Sequence, residues 1–343
     1  MAENLEVSTQ SLLNALTVVP EVRWYHLADP SSPALDELAA HFGIHPLQVE
    51  DCRHRRQTAR LEEHEGYTFV VIKVLGGSRG DKRPAPEANS QTGEGHDATT
   101  ITGKPGYALP RLNFEDFDIF LGPDYILTVD EGECSLVPTV KPRIAAERPL
   151  QTPDSIAYAL IDAAVDQYLP ALDRMGNFTN QLEDRVIRNP APATLRDIFR
   201  LKRSLLEFRR VAAGMREAVN GLIRRYDSSP STARQGDGGL RIYYRDVYDH
   251  IVRVIDFVET YRDLLTGSLD IYLSAVANRT NEVMKILTIW GTIALPLLIL
   301  TSFYGMNIKL PWQEHPDVLG IIIAAMGASA VAIFYYFRRK HWF

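Results

Sequence analysis

Cysteine is almost missing from this chain: 343 residues carry two, Cys52 and Cys134, far apart and in no CxxC or metal-ligand spacing. That excludes a disulfide framework and a thiolate zinc site, and it fits a reducing cytosol. No secretory signal is expected, since MAENLEVSTQ has no cationic flank, apolar core or small-residue cleavage site. The bulk of the chain is therefore expected to stay on the side where it is synthesised. There is no GxxxxGK[ST] phosphate loop, so nothing points to ATP as a driving force. No nucleophile, base and oxyanion set can be assembled either, which makes an enzyme the least favoured class. A basic excess is lacking, with net charge -6, and no nucleic-acid partner is expected. His41 and His45 stand four apart, but Gly43 and Pro46 interrupt the helix that would hold them on one face, and a turn is the expected outcome.

Charge is absent from two further places, and there the absence is informative. Ile286–Tyr304 and Val318–Phe337 contain no charged side chain. Each is long enough to cross a hydrocarbon core of about 30 Å as a helix rising about 1.5 Å per residue. Overall composition hides them, because 23% charged residues and 45% hydrophobic residues describe an ordinary soluble chain. The polar body of about 280 residues is large enough for one or two domains with a core. Arg279 and Lys285 precede the first span and Arg338-Arg339-Lys340 follow the second. The connecting loop holds Lys309 against Glu314 and Asp317. The positive-inside rule places both termini in the cytoplasm, with the two spans forming a hairpin through the cell's inner (plasma) membrane.

The body reads as α/β at first. Glu21–Leu27 has strand character, and Ala34–Phe42 reads as a short helix ended by Gly43. β-rich runs follow at Tyr67–Leu75, Phe114–Leu121 and Tyr125–Val129, the last two joined by the turn signal Gly122-Pro123-Asp124. Ser78–Gly106 is rich in Gly, Pro, Ser, Thr and charge, and with almost no large apolar residues it reads as an insertion over about 78–108. From Ser155 the pattern is helical: a first stretch breaks at Asn189-Pro190, and a second, Leu195–Ile223, is apolar on one side and arginine-rich on the other. It ends in the linker-like run Asp227–Gly239. The expected plan is an α/β domain over 1–150, a helical pair over 151–239, a stalk helix over 240–285 and a first span over 286–304. A loop over 305–317, a second span over 318–337 and a basic tail over 338–343 complete it.

Leu240–Tyr304 contains no proline before Pro296 and predicts one continuous rod on the order of 95 Å long. Val247, Ile251, Val254, Val258, Tyr261 and Leu265 alternate four and three apart, the seam of a helix packed side by side with partners. On the same rod Asp249, Asp256, Asp263 and Asp270 recur every seven residues, with Asp246 close to the row. Most of that row reads as surface charge, and Arg253 is placed to pair with Asp249. The other reading is that one or two of these acids meet acids of a neighbouring subunit around a hard divalent cation, which prefers carboxylate oxygen and retained water.

Gly305-Met306-Asn307 closes the first span behind Tyr304. Ahead of it runs Asn281-Glu282-Val283-Met284-Lys285-Ile286-Leu287-Thr288. Together with Gly43-Ile44-His45-Pro46-Leu47, Glu50-Asp51, Arg245-Asp246-Val247-Tyr248-Asp249-His250 and the final Arg-Arg-Lys-His-Trp-Phe, this resembles the CorA-type divalent metal ion transporters over nearly the whole length. The resemblance implies a homopentameric funnel in a lipid bilayer that conducts Mg²⁺, with Co²⁺ and Ni²⁺ as further cargo and no organic cofactor. It implies a filter at Gly305, Met306 and Asn307, with an Asn307 ring bonding the water shell of an ion that dehydrates reluctantly. Gly305 would allow a sharp turn and close packing. Met284, Leu287, Leu295 and Leu298 would line the pore and gate it by dewetting. Asp51 with Asp270, and Glu50 with Asp162 and Asp246, would hold regulatory metal between subunits. Lys309 stands where many members carry an acid, with Glu314 and Asp317 as compensation, and Leu295 and Leu298 replace the frequent Met and Thr. Two alternatives follow: a ZntB-like Zn²⁺ transporter, perhaps proton-coupled, and a non-conducting membrane-anchored metal sensor.

Overall fold

The computed structural model describes residues 12–54, 57–76, 112–132, 134–146, 152–188, 190–228, 239–306 and 317–340. The chain divides into two compact units: one runs up to Arg185 and takes in Ala191–Ser268, and the other comprises Val186–Pro190 and Leu269–Phe343. The insertion expected over about 78–108 lies outside the described residues, as do Asn307, Lys309 and Glu314.

The first unit is built on a six-stranded sheet in the order β1-β2-β6-β5-β4-β3. Its strands are β1 (Thr17–Val19), β2 (Trp24–Leu27), β3 (Arg60–His64), β4 (Tyr67–Leu75), β5 (Phe114–Leu121) and β6 (Ile126–Val129). Only β2 and β6 pair in parallel; the other neighbours are antiparallel. Eight of the nine residues of β4 are buried, so the continuous apolar run YTFVVIKVL is a central strand covered on both faces. Phe69, Val71, Phe120, Leu127 and Val129 pack with a helical segment within residues 12–16 (α1), α2 (Ala34–Phe42) and α3 (Pro46–Arg53). The other face meets α5 (Pro153–Asp166) and α7 (Pro192–Ser228).

The expected strand at Glu21–Leu27 is shorter than its pattern. A 3-10 turn at Pro20–Val22 and Arg23, whose φ of 48° is left-handed, delay β2 to Trp24. β3 gives no periodic signal, because RLEEH is a polar edge strand whose place comes from pairing with β4. α4 (Leu136–Ala146) is also unannounced, since it carries Pro142 internally. The two histidines follow the turn reading. Gly43 caps α2 with φ of 67°, and the His45 side chain accepts the Leu47 N–H at the start of α3. α5 starts from a capping box in which Thr152 and Ser155 satisfy each other's backbone amides.

α6 (Tyr168–Arg188), α7 and the 65-residue α8 (Leu240–Tyr304) form the helical layers, and α9 is Val318–Arg339. The seam of α8 is filled by its own chain: Val247, Ile251, Val254, Val258 and Leu265 are all buried. Tyr244 stacks with Tyr226 of α7, Arg209 of α7 bonds Glu259 at 3.1 Å, and Ser268 bonds Glu183 of α6 at 3.4 Å. The anticipated Asp249–Arg253 ion pair does not form within 4.0 Å, although both lie on the helix surface.

On the α3 side of the sheet lies a polar layer. Lys73 pairs with Asp116, and Asp116 also accepts the Gln57 N–H at 2.9 Å. Asp118, 4% exposed, accepts a hydrogen bond from Cys52 and leaves its Oδ1 without a partner. Burial pushes its carboxyl up to about 7 from 3.8, despite Cys52 and the nearby cations. A proton is thus bound more tightly in the folded chain, and stability falls as pH rises from about 4 to 7. Above that window a penalty on the order of 4 kcal/mol stands in full. Asp118→Asn is expected to raise the melting temperature more at pH 8 than at pH 5; equal gains at both values would refute the buried acid. Gly43→Ala, which meets no atom within 4 Å but must keep its left-handed φ, is expected to lower stability by about 1 kcal/mol in chemical denaturation.

Candidate functional site

The second unit carries surface that water cannot solvate cheaply. α8 and α9 each contain an uncharged stretch long and apolar enough to cross a membrane, and Trp290, Ile299, Phe303, Leu319, Ile321 and Ile323 are all more than half exposed. Apolar area on this scale marks contact with lipid or with other chains. Within it, Met284, Leu287, Leu295 and Leu298 are 58%, 69%, 59% and 63% exposed. At about 100° per residue these four fall within roughly 80° of arc, so one face of α8 presents them as a single strip. Thr280, Gly291 and Ser302 fall in the same arc and are also exposed. The sequence reading passed over these three, although the same three-and-four spacing selects them. Asp270 lies fourteen residues before Met284, about 40° short of four turns and so just outside that arc.

At its far end α8 stops at Tyr304. The Gly305 N–H still bonds the Thr301 carbonyl at 2.9 Å, in helical fashion. Gly305 is absent from the positive-φ glycines, which are Gly43, Gly66 and Gly132 among the described residues. The chain turns at Gly305 and bends at Met306, and a Cβ at Gly305 would lie 3.0 Å from the Thr301 carbonyl oxygen, so glycine supplies clearance there without a left-handed conformation. Met306 is exposed. Asp317, exposed, is the N-cap residue of α9 and makes no side-chain cap bond.

The acids are distributed over both units, with Asp270 in the second and Glu50, Asp51, Asp162 and Asp246 in the first. Glu50 is exposed, while Asp51 is half-buried on the same turn of α3. Its Oδ2 accepts from Arg60 Nη2 at 2.6 Å. Arg60 also donates to Gln57 Oε1 at 2.5 Å and Glu62 Oε1 at 2.7 Å, and its guanidinium lies over the Phe69 ring. Asp162, on α5, accepts from Arg143 Nη1 at 2.9 Å, and this bond raises the guanidinium pKa. The structure does bring Asp162 and Asp246 into one electrostatic neighbourhood. Both act on Tyr158, which is pushed up to about 12 by burial first and by Asp162 next, with Asp246 adding to it. Asp166, overlooked in the sequence, belongs to the same group. One turn after Asp162, it has its carboxyl pKa raised by burial, then by Asp162, with a smaller rise from Asp246. His250 lies 3.9 Å from Asp246.

These donors are all carboxylate oxygens, the chemistry a hard divalent cation takes. Among the described residues of one chain, no three His, Cys, Asp or Glu side chains converge as a metal group. Asp270 and Glu50 are exposed, and Asp51 is bonded through Oδ2 to Arg60.

A family model described as CorA-like Mg²⁺ transporter protein matches residues 20–86 and 108–339, and the gap between the two stretches falls inside the Gly- and Pro-rich run. The cobalt/magnesium transport protein CorA of Thermotoga maritima is 33% identical over 305 residues, covering 88% of this chain and 77% of that protein. Among solved structures, the complete CorA magnesium transporter of Methanocaldococcus jannaschii superposes with a TM-score of 0.73 at 22% identity, covering 93% of this chain and 91% of the other. The ZntB cytoplasmic domain of Vibrio parahaemolyticus matches with a TM-score of 0.52 at 11% identity, over 74% and 88% of the two chains. At such identities the structural likeness establishes the architecture: an α/β domain, a long helix and a two-helix apolar hairpin. With the family model covering most of the residues and one relative at one-third identity, the chain belongs to the CorA-like Mg²⁺ transporter proteins, a family that moves ions and is not one of enzymes.

Proposed function

We propose that this protein is a membrane-potential-driven Mg²⁺ channel that also passes Co²⁺ and Ni²⁺ and works as a homopentamer with both termini in the cytoplasm. The observation that carries this reading is the exposed strip Met284, Leu287, Leu295 and Leu298, which leads along one face of α8 to Gly305 and Met306. Five such strips facing one another would enclose a narrow apolar path that is dry when closed and conducts when wetted. Asn307, next in the chain, would form a ring whose amide oxygens accept hydrogen bonds from the water shell of the cargo ion. That grip is weaker than a carboxylate ring's, and it suits an ion that keeps its waters. A divalent cation gains about 4.6 kcal/mol across 100 mV, twice the single-charge value, so the potential alone suffices as driving force.

Control is assigned to the cytosolic acids. Asp51 of one subunit with Asp270 of the next, and Glu50 with Asp162 and Asp246, would hold metal between subunits. Bound metal offsets the repulsion among these carboxylates and favours a symmetric closed ring. Loss of metal lets the ring loosen, so transport is inhibited by its own product. A Zn²⁺-transporting variant of the same architecture is the second reading. It draws on Lys309 in the loop and on Leu at both 295 and 298, features that make the mouth less attractive to cations and the path more apolar. A third, a non-conducting metal sensor, uses the same acids with a path that never wets.

Uptake into proteoliposomes at a fixed inside-negative potential separates the three. Mg²⁺ flux is expected in the wild type, with loss on the order of 10-fold or more in Asn307→Ala, scaled to about 1.4 kcal/mol of lost ion stabilisation. Asp270→Lys is expected to conduct at internal Mg²⁺ concentrations that silence the wild type. Zn²⁺ flux alone, dissipating with a proton gradient, would select the zinc reading, and no flux of either ion the sensor.

A further inference from the structure

We infer that Arg60 and Arg143 are resident counter-ions of the regulatory acids that oppose cytosolic metal, Arg143 by competing for Asp162 and Arg60 by its fixed charge beside Asp51, so that these two arginines set the metal concentration at which the ring closes. The inference rests on the regulatory reading above and adds to it the group that opposes the ion. Each proposed site contains one acid already neutralised within its own subunit: Asp51 by Arg60 at 2.6 Å and Asp162 by Arg143 at 2.9 Å. The remaining acids, Glu50, Asp246 and Asp270, have no arginine or lysine within 4.0 Å among the described residues. A guanidinium at hydrogen-bonding distance occupies one carboxylate oxygen and repels a divalent ion approaching the other.

The two arginines act differently. Arg60 is fixed by Asp51, Gln57 and Glu62 and by the Phe69 ring beneath it. It cannot swing away without breaking several bonds, so its charge stays beside any ion held by Asp51. It also ties Asp51 to Glu62, and removing it releases two carboxylates at once. The Arg143 side chain is 38% exposed, whereas the carboxylate it bonds is 11% exposed. The guanidinium is held by Asp162 and by Tyr158 and borders water, and if a metal displaces it, the largely buried Asp162 carboxylate exchanges one cation for another. Metal and Arg143 are alternatives at Asp162, while metal and Arg60 are neighbours at Asp51.

The test uses the full-length protein in detergent. Its melting temperature is followed from excess chelator to millimolar free Mg²⁺, a readout independent of flux. Arg60→Gln and Arg143→Gln are expected to melt lower than wild type in chelator. Arg60→Gln should show its Mg²⁺-induced rise at about tenfold lower concentration, the effect of one unit charge about 6 Å from a divalent ion in water, and Arg143→Gln at a lower concentration than wild type because no guanidinium has to be displaced from Asp162. Arg60→Lys keeps the charge without the fork and is expected to respond at the wild-type concentration, which separates charge from a merely structural role. Unchanged or higher Mg²⁺ midpoints in both Gln variants would overturn the inference, and Arg143→Gln decides it if Arg60→Gln does not fold. If Mg²⁺ fails to shift the wild type, or shifts Asp270→Ala just as much, the regulatory reading itself falls.

Discussion

A backbone that crosses hydrocarbon finds no water for its amides and carbonyls, so it must satisfy them within its own segment. α8 and α9 do this as helices, and their uncharged faces then have to be covered by lipid or by copies of the same chain. Much of the rest of the second unit follows from that constraint. Threonine hydroxyls within the first span, at 288, 292 and 301, turn back onto the carbonyl one turn earlier instead of presenting a free polar group. Pro296, which removes one amide from the ladder, lies within the apolar stretch. Gly305 ends the helix where a Cβ would crowd the Thr301 carbonyl. Met284, Leu287, Leu295 and Leu298 share one arc of the helix with Thr280, Gly291 and Ser302, and apolar residues on its other faces, such as Trp290 and Ile299, are exposed too.

In the first unit the governing physics is electrostatic. The sheet is buried on both sides, which gives rigid positions to charges that would otherwise be costly. Lys73, Asp116 and Asp118 are set beneath α3, and Arg60 at the edge strand joins Asp51, Gln57 and Glu62. α3 thus presents Glu50 outward while its neighbour Asp51 is held against the sheet. α5 does the same with Asp162 and Asp166: one turn of helix separates an acid paired with Arg143 from one whose proton is held more tightly. On the proposed regulatory reading, acids arranged this way would be completed by another copy, and a bound cation would relieve their repulsion.

The two spans, their uncharged length and the family were legible in the sequence, because hydrocarbon thickness and the absence of charge are properties of the chain alone. So were the long helix, the strands at Tyr67–Leu75 and Phe114–Leu121 and the turn between His41 and His45, since local pattern and the αL position at Gly43 decide them. The strip on α8 was half legible: four of its members came from resemblance, while Thr280, Gly291 and Ser302 needed the helix to place them in line. β3 and α4 were not legible, since an RLEEH edge strand and a proline-bearing helix owe their form to what they pack against. Only the tertiary structure filled the seam of α8 from within the chain, set Arg60 and Arg143 on two of the acids and added Asp166 to their group. Those choices depend on residues distant in sequence meeting at a few ångströms, where Coulomb interaction and desolvation act, and no spacing along the chain encodes that distance.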